Sequence, residues 1–282
     1  MLEWTAVGRI IDAALAEDIG AIDLTSETVI PAEARATFVM RTRERIVVCG
    51  IPVAEAVFRR RAPACGFEAG VAEGAVAEPG TVLATVTGPA RALLTAERTA
   101  LNLLSHMSGI ATLTRRYVEA IAGTRAVLID TRKTTPGLRA IEKHATAVGG
   151  ARNHRIDLAG GIMIKDNHIS VCGSIAAAVE RARAAAPVLT KIEVECDRLD
   201  QVAEAVAAGA DVIMLDNMKP PMLREAVAMV AGRVPLEASG GVNLETIRGI
   251  AETGVDFISV GRITQGAPAV DIGLDATIEL GG

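Results

Sequence analysis

Residues 126–168 read AVLIDTRKTTPGLRAIEKHATAVGGARNHRIDLAGGIMIKDNH. Two apolar runs in this stretch, AVLI (126–129) and GIMI (161–164), are typical of buried strands, and charged residues follow each run directly. An unpaired charge inside a core is strongly destabilising. We therefore expect Arg132, Lys133 and Lys165 to surround an opening at the strand ends. The positive charge of this opening predicts a negatively charged ligand.

The same alternation of strand and helix continues beyond this stretch. Strand-like runs are centred near residues 128, 163, 194, 214, 237 and 259, and helical patterns cover 138–148, 174–186, 199–208, 221–231 and 244–253. Strands that are separated by helices pair in parallel. Polar residues follow every one of these strands, as in a β/α barrel, whereas an open sheet binds its ligand at one switch point. The sequence predicts an incomplete β/α barrel with fewer than eight strands.

The first hundred residues have a different pattern. Helices are predicted at 9–19 and 52–61, a turn at 23–26, strands at 36–40, 45–50 and 81–86, and a hairpin over EPGTVLATVTGP (78–89). A long helical pattern begins at Leu94, and Gly109 within it predicts a bend or a close packing contact. We expect an N-terminal mixed α/β domain over residues 1–108, followed by the barrel domain over 109–270.

Composition narrows the class of ligand. The chain has 282 residues and a net charge of −5, so no overall positive field attracts nucleic acid. No aromatic residue lies between Tyr117 and Phe257, which also argues against a single-stranded nucleic acid stacking in this region. The four cysteines lack metal-binding spacing and are expected to be reduced. With neither a leader pattern nor a membrane-spanning apolar run, we expect a cytoplasmic protein without a membrane partner.

Three groups of residues are candidates for a site. Arg132, Lys133, Arg155 and Lys165 form a basic group that suits a ligand with two carboxylates; the alternative is a set of surface ion pairs. His154, next to Arg155, is either a hydrogen-bond donor or proton carrier, or a structural histidine.

The second group consists of two acids at adjacent strand ends. Glu195 and Asp216 can hold Mg²⁺ directly or through water, or stabilise positive charge on a sugar carbon; alternatively they only pair with the basic group. Glu193, two positions earlier, is expected to be an interior charge partner.

The third group is a pair of loops, Ser239-Gly240-Gly241 and Val260-Gly261-Arg262. Glycine lets backbone N–H groups approach a phosphate closely, although turns that need positive φ give the same pattern. Together the three groups predict an enzyme that joins a small acid to a phosphorylated sugar.

Several blocks of sequence carry a more specific signal. D-T-R-K-T-T-P-G-L-R, G-G-A-R-N-H-R, I-K-D-N-H, E-V-E, M-L-D-N and A-S-G-G-V-N occur in this order, with L-L-T-A-E-R-T-A-L-N-L-L before them and A-P-A-V-D-I-G-L-D after them. In these blocks, and over nearly its whole length, the chain resembles the quinolinate phosphoribosyltransferases. The resemblance implies that the C-terminal tail, 271–282, returns to the N-terminal domain.

The resemblance also implies a reaction and roles for residues. Quinolinate and phosphoribosyl pyrophosphate would react with Mg²⁺ to give nicotinate mononucleotide, pyrophosphate and CO₂. Lys133, Glu195 and Asp216 would be catalytic, and Glu195 and Asp216 would lie near the metal. The substrate-binding residues would be Arg98, Thr131, Arg132, Lys133, His154, Arg155, Lys165, Glu195, Asp216, Ser239, Gly240, Gly241, Val260, Gly261 and Arg262. Arg98 would complete the site of a neighbouring subunit, in a homodimer or homohexamer.

Two other functions stay open at this point. A relative encoded with molybdate transporters shares T-R-K-T-x-P-G but is not expected to keep I-K-D-N-H, which is present here. A non-catalytic protein that binds pyridine carboxylates would gain nothing from the acids Glu195 and Asp216 in its pocket.

Overall fold

The computed structural model describes residues 2–277 of the chain. These residues form two compact units, the first from residues 2–115, 135–149 and 266–277, and the second from 116–134 and 150–265. The division predicted from the sequence, residues 1–108 with the tail 271–282 and residues 109–270, stays a prediction. Residues 278–282 of that tail lie outside the described part. No helix within residues 2–277 is long and apolar enough to cross a membrane.

The first unit combines helices with antiparallel strands. In chain order its elements are α1 (Trp4–Ile19), α2 (Leu24–Val29), β1 (Arg35–Thr42), β2 (Ile46–Val47), α3 (Ile51–Arg61), β3 (Gly66–Ala69), β4 (Val76–Ala77), β5 (Val82–Pro89), most of α4 (Ala90–Ala120), α5 (Arg139–Gly149) and β12 (Ile272–Ala276). The strands form an antiparallel sheet in the order β12-β1-β5-β3, and β2 pairs with β4. One face of this sheet packs on the helices in a continuous apolar core.

Two local predictions for this unit are wrong. The predicted turn at 23–26 is the beginning of α2, because Asp23 Oδ1 accepts a hydrogen bond from the Ser26 backbone N–H (3.0 Å) and caps the helix. The predicted hairpin over 78–89 does not form, because β4 pairs with β2 while β5 pairs with β1 and β3. The Pro-Gly turn therefore connects strands of two different sheets.

The long helix α4 is continuous through Gly109. A Cβ atom at this position would lie 2.0 Å from the carbonyl oxygen of Pro268, so only glycine allows the two backbones to approach this closely. Of the two predicted alternatives, a bend or a close packing contact, the structure has the contact.

The second unit has the alternating pattern that the sequence predicted. After the last residues of α4 its elements are β6 (Val127–Ile129), β7 (Ile162–Ile164), α6 (Asp166–Cys172), α7 (Ile175–Ala185), β8 (Ile192–Cys196), α8 (Leu199–Ala207), β9 (Val212–Asp216), α9 (Pro220–Val230), β10 (Leu236–Ser239), α10 (Ile247–Ala251), β11 (Phe257–Ser259) and α11 (Arg262–Gln265). The predicted strands each contain the expected central residue. The short helix α6 was not predicted.

The six strands of this unit are parallel and lie in the order β6-β11-β10-β9-β8-β7. The first and last strands in sequence are neighbours, as in a barrel, but β6 and β7 make no ladder with each other within residues 2–277. The predicted fold is confirmed: this is an incomplete β/α barrel with fewer than eight strands. Since all strands run in one direction, their carboxyl ends share one edge.

Candidate active site

A cavity of about 870 Å³ lies at the carboxyl ends of the six barrel strands, a volume suited to a small-molecule ligand. Its lining includes the predicted residues Thr131, Arg132, Lys133, His154, Arg155, Lys165, Glu195, Asp216, Ser239, Gly240, Gly241, Val260, Gly261 and Arg262. The structure thus brings the three predicted groups together. Arg98 is the exception, because it is an exposed residue of α4 in the first unit and is not part of this lining.

Arg132 and Arg155 both line the cavity, and their charges interact. Burial lowers the pKa of Arg155, and the nearby positive charge of Arg132 lowers it further. Arg155 Nη1 donates a hydrogen bond to the carbonyl oxygen of Gly161 (2.9 Å), which holds the side chain in place. Two cations that repel one another at a partly buried site favour a bound anion.

His154 is held by contacts on both ring nitrogens. Its Nδ1 accepts a hydrogen bond from the Arg155 backbone N–H (2.7 Å), and its Nε2 lies 3.0 Å from a carboxylate oxygen of Glu193. Because Nδ1 is the acceptor, the neutral ring carries its proton on Nε2, which donates to Glu193. Glu193 is buried and hydrogen-bonded to this histidine, in the interior position that was predicted for it. His154 also lines the cavity, so its predicted role in substrate binding stays a prediction.

Two buried acids below this histidine were not assigned to the site from the sequence. Asp130 accepts hydrogen bonds from the His154 backbone N–H (2.8 Å) and from Asn153 Nδ2 (2.7 Å). Glu237 is 1% exposed, and burial followed by repulsion from Glu193 raises its pKa well above the usual value. A signal existed in the sequence, because Glu237, like Glu193, is the second residue of its strand, an acid inside a run that is otherwise largely apolar.

Lys165 and Glu195 form a direct ion pair across adjacent strand ends. The backbone N–H of Lys165 donates to His168 Nδ1 (2.9 Å), which fixes the first turn of the unpredicted helix α6. Asp216 Oδ2 accepts a hydrogen bond from Asn217 Nδ2 (2.7 Å). For Glu195 the predicted alternative of pairing with the basic group is thus observed.

Oxygen atoms remain that could hold a metal. Within the described residues, Glu195 Oε1 and Asp216 Oδ1 have no hydrogen-bond or ion-pair partner. Carboxylate oxygens are the ligands that Mg²⁺ prefers, and bound water can extend their reach. The donor set of these two acids therefore fits Mg²⁺.

Glycines allow the loops of the cavity to pack closely. Gly240 has φ +92°, and a Cβ atom there would lie 2.2 Å from Asn217 Oδ1 and 2.9 Å from the Asn217 backbone nitrogen. A Cβ atom at Gly261 would lie 2.7 Å from Lys133 Cδ. Thr264 Oγ1 also donates to the Lys133 carbonyl oxygen (2.7 Å). These contacts fix the loops after β6, β9, β10 and β11 against each other at the cavity edge.

Comparisons with known proteins identify the family of the chain. Residues 23–108 match the quinolinate phosphoribosyl transferase N-terminal domain, and residues 110–275 match the C-terminal domain. The nicotinate-nucleotide pyrophosphorylase [carboxylating] of Mycobacterium leprae is 43% identical over 97% of this chain and 98% of its own length. A probable enzyme of the same name from Bacillus subtilis is 42% identical, over 93% of this chain and 90% of its own.

Solved structures are similar over the same length. The NadC structure from Streptococcus pyogenes has a TM-score of 0.94 and 37% identity, covering 99% of both chains. The nicotinate-nucleotide pyrophosphorylase structure from Ehrlichia chaffeensis has a TM-score of 0.91 and 41% identity, covering 95% of this chain and 98% of the other. With both domain models matched and its barrel, cavity and sequence blocks all in agreement, this chain belongs to the quinolinate phosphoribosyl transferase family.

Proposed function

We propose that this chain is a carboxylating nicotinate-nucleotide pyrophosphorylase. It transfers the phosphoribosyl group of phosphoribosyl pyrophosphate to quinolinate and releases pyrophosphate and CO₂, forming nicotinate mononucleotide for NAD biosynthesis. The observation that carries the proposal is the pair of guanidinium groups, Arg132 and Arg155, in a cavity that also contains two acids. The names of its relatives support the same activity.

Recognition of quinolinate follows from the arrangement of positive charge. The ligand has two adjacent carboxylates, and guanidinium groups bind carboxylates through two parallel hydrogen bonds. Arg132 and Arg155 supply these groups, while Lys133 and Lys165 add charge nearby. The pKa of Arg155 is lowered by burial and further by repulsion from Arg132, and bound quinolinate would relieve that repulsion. A ligand with one carboxylate would relieve less of it.

The sugar-phosphate substrate would occupy the other side of the cavity. The loops Ser239-Gly240-Gly241 and Val260-Gly261-Arg262 offer backbone N–H groups for its phosphate. Glu195 and Asp216 would hold Mg²⁺. The bound ion would neutralise the negative charge of pyrophosphate. Both fit that role through the carboxylate oxygens that have no protein partner.

Charge also explains the order of bond changes. As the bond between the anomeric carbon and pyrophosphate breaks, positive charge develops on the sugar, and the carboxylates of Glu195 and Asp216 stabilise it. The pyridine nitrogen then forms the new bond to this carbon. Loss of CO₂ leaves an electron pair on the ring carbon, and the positive charge of the ring stabilises it. A proton from solvent then bonds to this carbon. The arginines need only orient the carboxylate.

Several finer points belong to the same proposal. Arg98 would complete the site of a neighbouring subunit in a homodimer or homohexamer; its exposed position on α4 supports an intermolecular role. Sedimentation of a fully active monomer would refute that part. A cytoplasmic location stays a prediction from the sequence.

A parallel assay tests the reaction. The purified protein is given Mg²⁺ and phosphoribosyl pyrophosphate with quinolinate in one tube and nicotinate in the other, and mononucleotide and CO₂ are measured. The proposal expects both products from quinolinate and none from nicotinate. Product from nicotinate would show that the enzyme does not require the second carboxylate of quinolinate. Binding of quinolinate without any product would reject the enzyme in favour of a binding protein.

A further inference from the structure

A second cluster of possible metal ligands lies in the first unit, and it plays no part in the proposed reaction. It consists of Cys49, Glu73 and His144, and one ligand atom from each residue lies within 4.8 Å of the other two. The residues come from three separate segments: the turn before α3, the loop between β3 and β4, and helix α5. All three segments belong to the first unit.

The spacing of the cluster suits a tetrahedral ion. Zinc bonds of about 2.0–2.1 Å to nitrogen and oxygen place two such ligands roughly 3.4 Å apart at a tetrahedral angle. His144 Nε2 and Glu73 Oε2 are 3.5 Å apart, which is longer than a good hydrogen bond and close to this value. Cys49 Sγ lies within 4.8 Å of a ligand atom of each of these two residues, and a zinc–sulfur bond of about 2.3 Å is longer than a bond to nitrogen or oxygen.

The ring nitrogens of His144 are available to coordinate a metal ion. Both of its ring nitrogens are inaccessible to solvent, and neither has a hydrogen-bond partner in the part of the chain that the structure describes. Its contact with Glu73 at 3.5 Å is the remaining polar interaction. Buried imidazole nitrogens are normally hydrogen-bonded or bound to a metal, so this side chain is more consistent with a ligand than with a satisfied core histidine.

The other two residues are held in place by the backbone around them. Cys49 is 0% exposed, its backbone N–H donates to Ser108 Oγ (3.0 Å), and Ser108 Oγ donates back to its carbonyl oxygen (3.0 Å). Glu73 accepts hydrogen bonds from the backbone N–H groups of Gly50 (2.9 Å) and Ile51 (2.8 Å) at the start of α3. The ligands are therefore preorganised, which lowers the entropic cost of binding.

An alternative without a metal is a thiol that donates to the Glu73 carboxylate. Within residues 2–277, this alternative leaves the His144 ring with its 3.5 Å contact to Glu73 as its remaining polar interaction. A cation coordinated by sulfur, nitrogen and oxygen engages all three side chains and displaces the thiol proton.

We propose that Cys49, Glu73 and His144 form a binding site for Zn²⁺, with water as the fourth ligand. The mixed sulfur, nitrogen and oxygen donors favour zinc over the hard cation Mg²⁺. The ion would tie α5 to the segments that precede α3 and β4. This site is separate from the barrel cavity, and it does not depend on the proposed function.

The test uses the full chain stripped of metal with a chelator and kept in excess Mg²⁺. Zn²⁺ is titrated by calorimetry, and Co²⁺ is then used as a spectroscopic probe of the same site. We expect one tight Zn²⁺ per chain, and an absorption band of sulfur-to-cobalt charge transfer. Cys49→Ala should remove that band and weaken Zn²⁺ binding by about 100-fold or more, because loss of a mere outer partner already costs ~10–100-fold. Cys65→Ala, at another buried cysteine of the first unit, is the matched control and should change neither.

His144→Gln provides a second variant in case Cys49→Ala does not fold. It should weaken Zn²⁺ binding strongly while the circular dichroism spectrum stays unchanged. Absence of stoichiometric Zn²⁺, a Co²⁺ spectrum without sulfur coordination, or equal Zn²⁺ affinity in His144→Gln and the unmodified protein would each overturn the proposal. Co²⁺ bound to the acids of the barrel cavity cannot give the sulfur-to-cobalt band, because no cysteine is among the described residues that line that cavity.

Discussion

Replacing Arg155 with methionine should separate ligand binding from stability. The guanidinium group is disfavoured in the empty site by burial and by the charge of Arg132, so it is retained at a cost to the unliganded protein. Methionine keeps much of the apolar stem and removes the charge. We expect Arg155→Met to bind quinolinate poorly while folding about as stably as the unmodified chain.

The magnitudes follow from the contacts. Hydrogen bonds to charged groups contribute about 1.5–3 kcal/mol, so the loss of this guanidinium should weaken quinolinate binding roughly 10- to 150-fold. Its hydrogen bond to the Gly161 carbonyl contributes about 0.5–1.5 kcal/mol to folding. Relief of the repulsion from Arg132 offsets this loss. The free energy of unfolding should therefore change by less than about 1 kcal/mol.

Calorimetric titration with quinolinate and urea unfolding measure the two quantities. Arg198→Met is the control, because Arg198 is exposed and pairs with Asp197 and Asp200 away from the cavity, so it should leave binding unchanged. A dissociation constant within about threefold of the unmodified value in folded Arg155→Met would refute the reasoning. The reasoning would also be refuted if Arg155→Met lost quinolinate binding only because its free energy of unfolding had fallen strongly.

Three further substitutions test the close packing and the electrostatics of the fold. Gly241→Ala should lower the free energy of unfolding by only about 1–2 kcal/mol, because alanine is strained at the positive φ of this position. Gly240→Ala has the same strain and also clashes with Asn217, so it should lower the free energy of unfolding by roughly 1–3 kcal/mol more and raise KM for phosphoribosyl pyrophosphate. Equal urea midpoints for the two variants would contradict this. Burial raises the pKa of Glu142, but hydrogen bonds from His106 and the Thr135 backbone outweigh it and lower the pKa overall, so the carboxylate stabilises the fold above pH 4.5 and loses this effect as pH falls through the lowered value. The stability difference between the unmodified chain and Glu142→Gln should shrink in acid, and a pH-independent difference would exclude the explanation.

The sequence predicted the barrel well because its signals are local and repeated. Each parallel strand is a short apolar run, and each run ends in polar residues that cannot enter a core. The positions of Arg132, Lys165, Glu195 and Asp216 at one cavity therefore followed from the direction of the strands. The roles of these residues in catalysis stay predictions.

What the sequence did not predict depends on partners distant in the chain. The segment 78–89 has the composition of a hairpin, but β4 finds its partner in β2, and no local pattern identifies this pairing. Helix α6 begins at Asp166 because His168 accepts a hydrogen bond from the Lys165 backbone, a specific contact within a stretch that otherwise resembles a loop. The cluster of Cys49, Glu73 and His144 joins residues that no spacing rule relates.

The way the chain alternates between the two units has a consequence for how the protein is made. The backbone passes from one unit to the other near residues 115, 134, 149 and 265, so no single cleavage separates them into continuous fragments. Strand β12, which completes one edge of the first sheet, is synthesised after the entire barrel. On the ribosome the N-terminal unit therefore remains without its edge strand until the whole barrel has been synthesised, and its sheet should be completed only after that point.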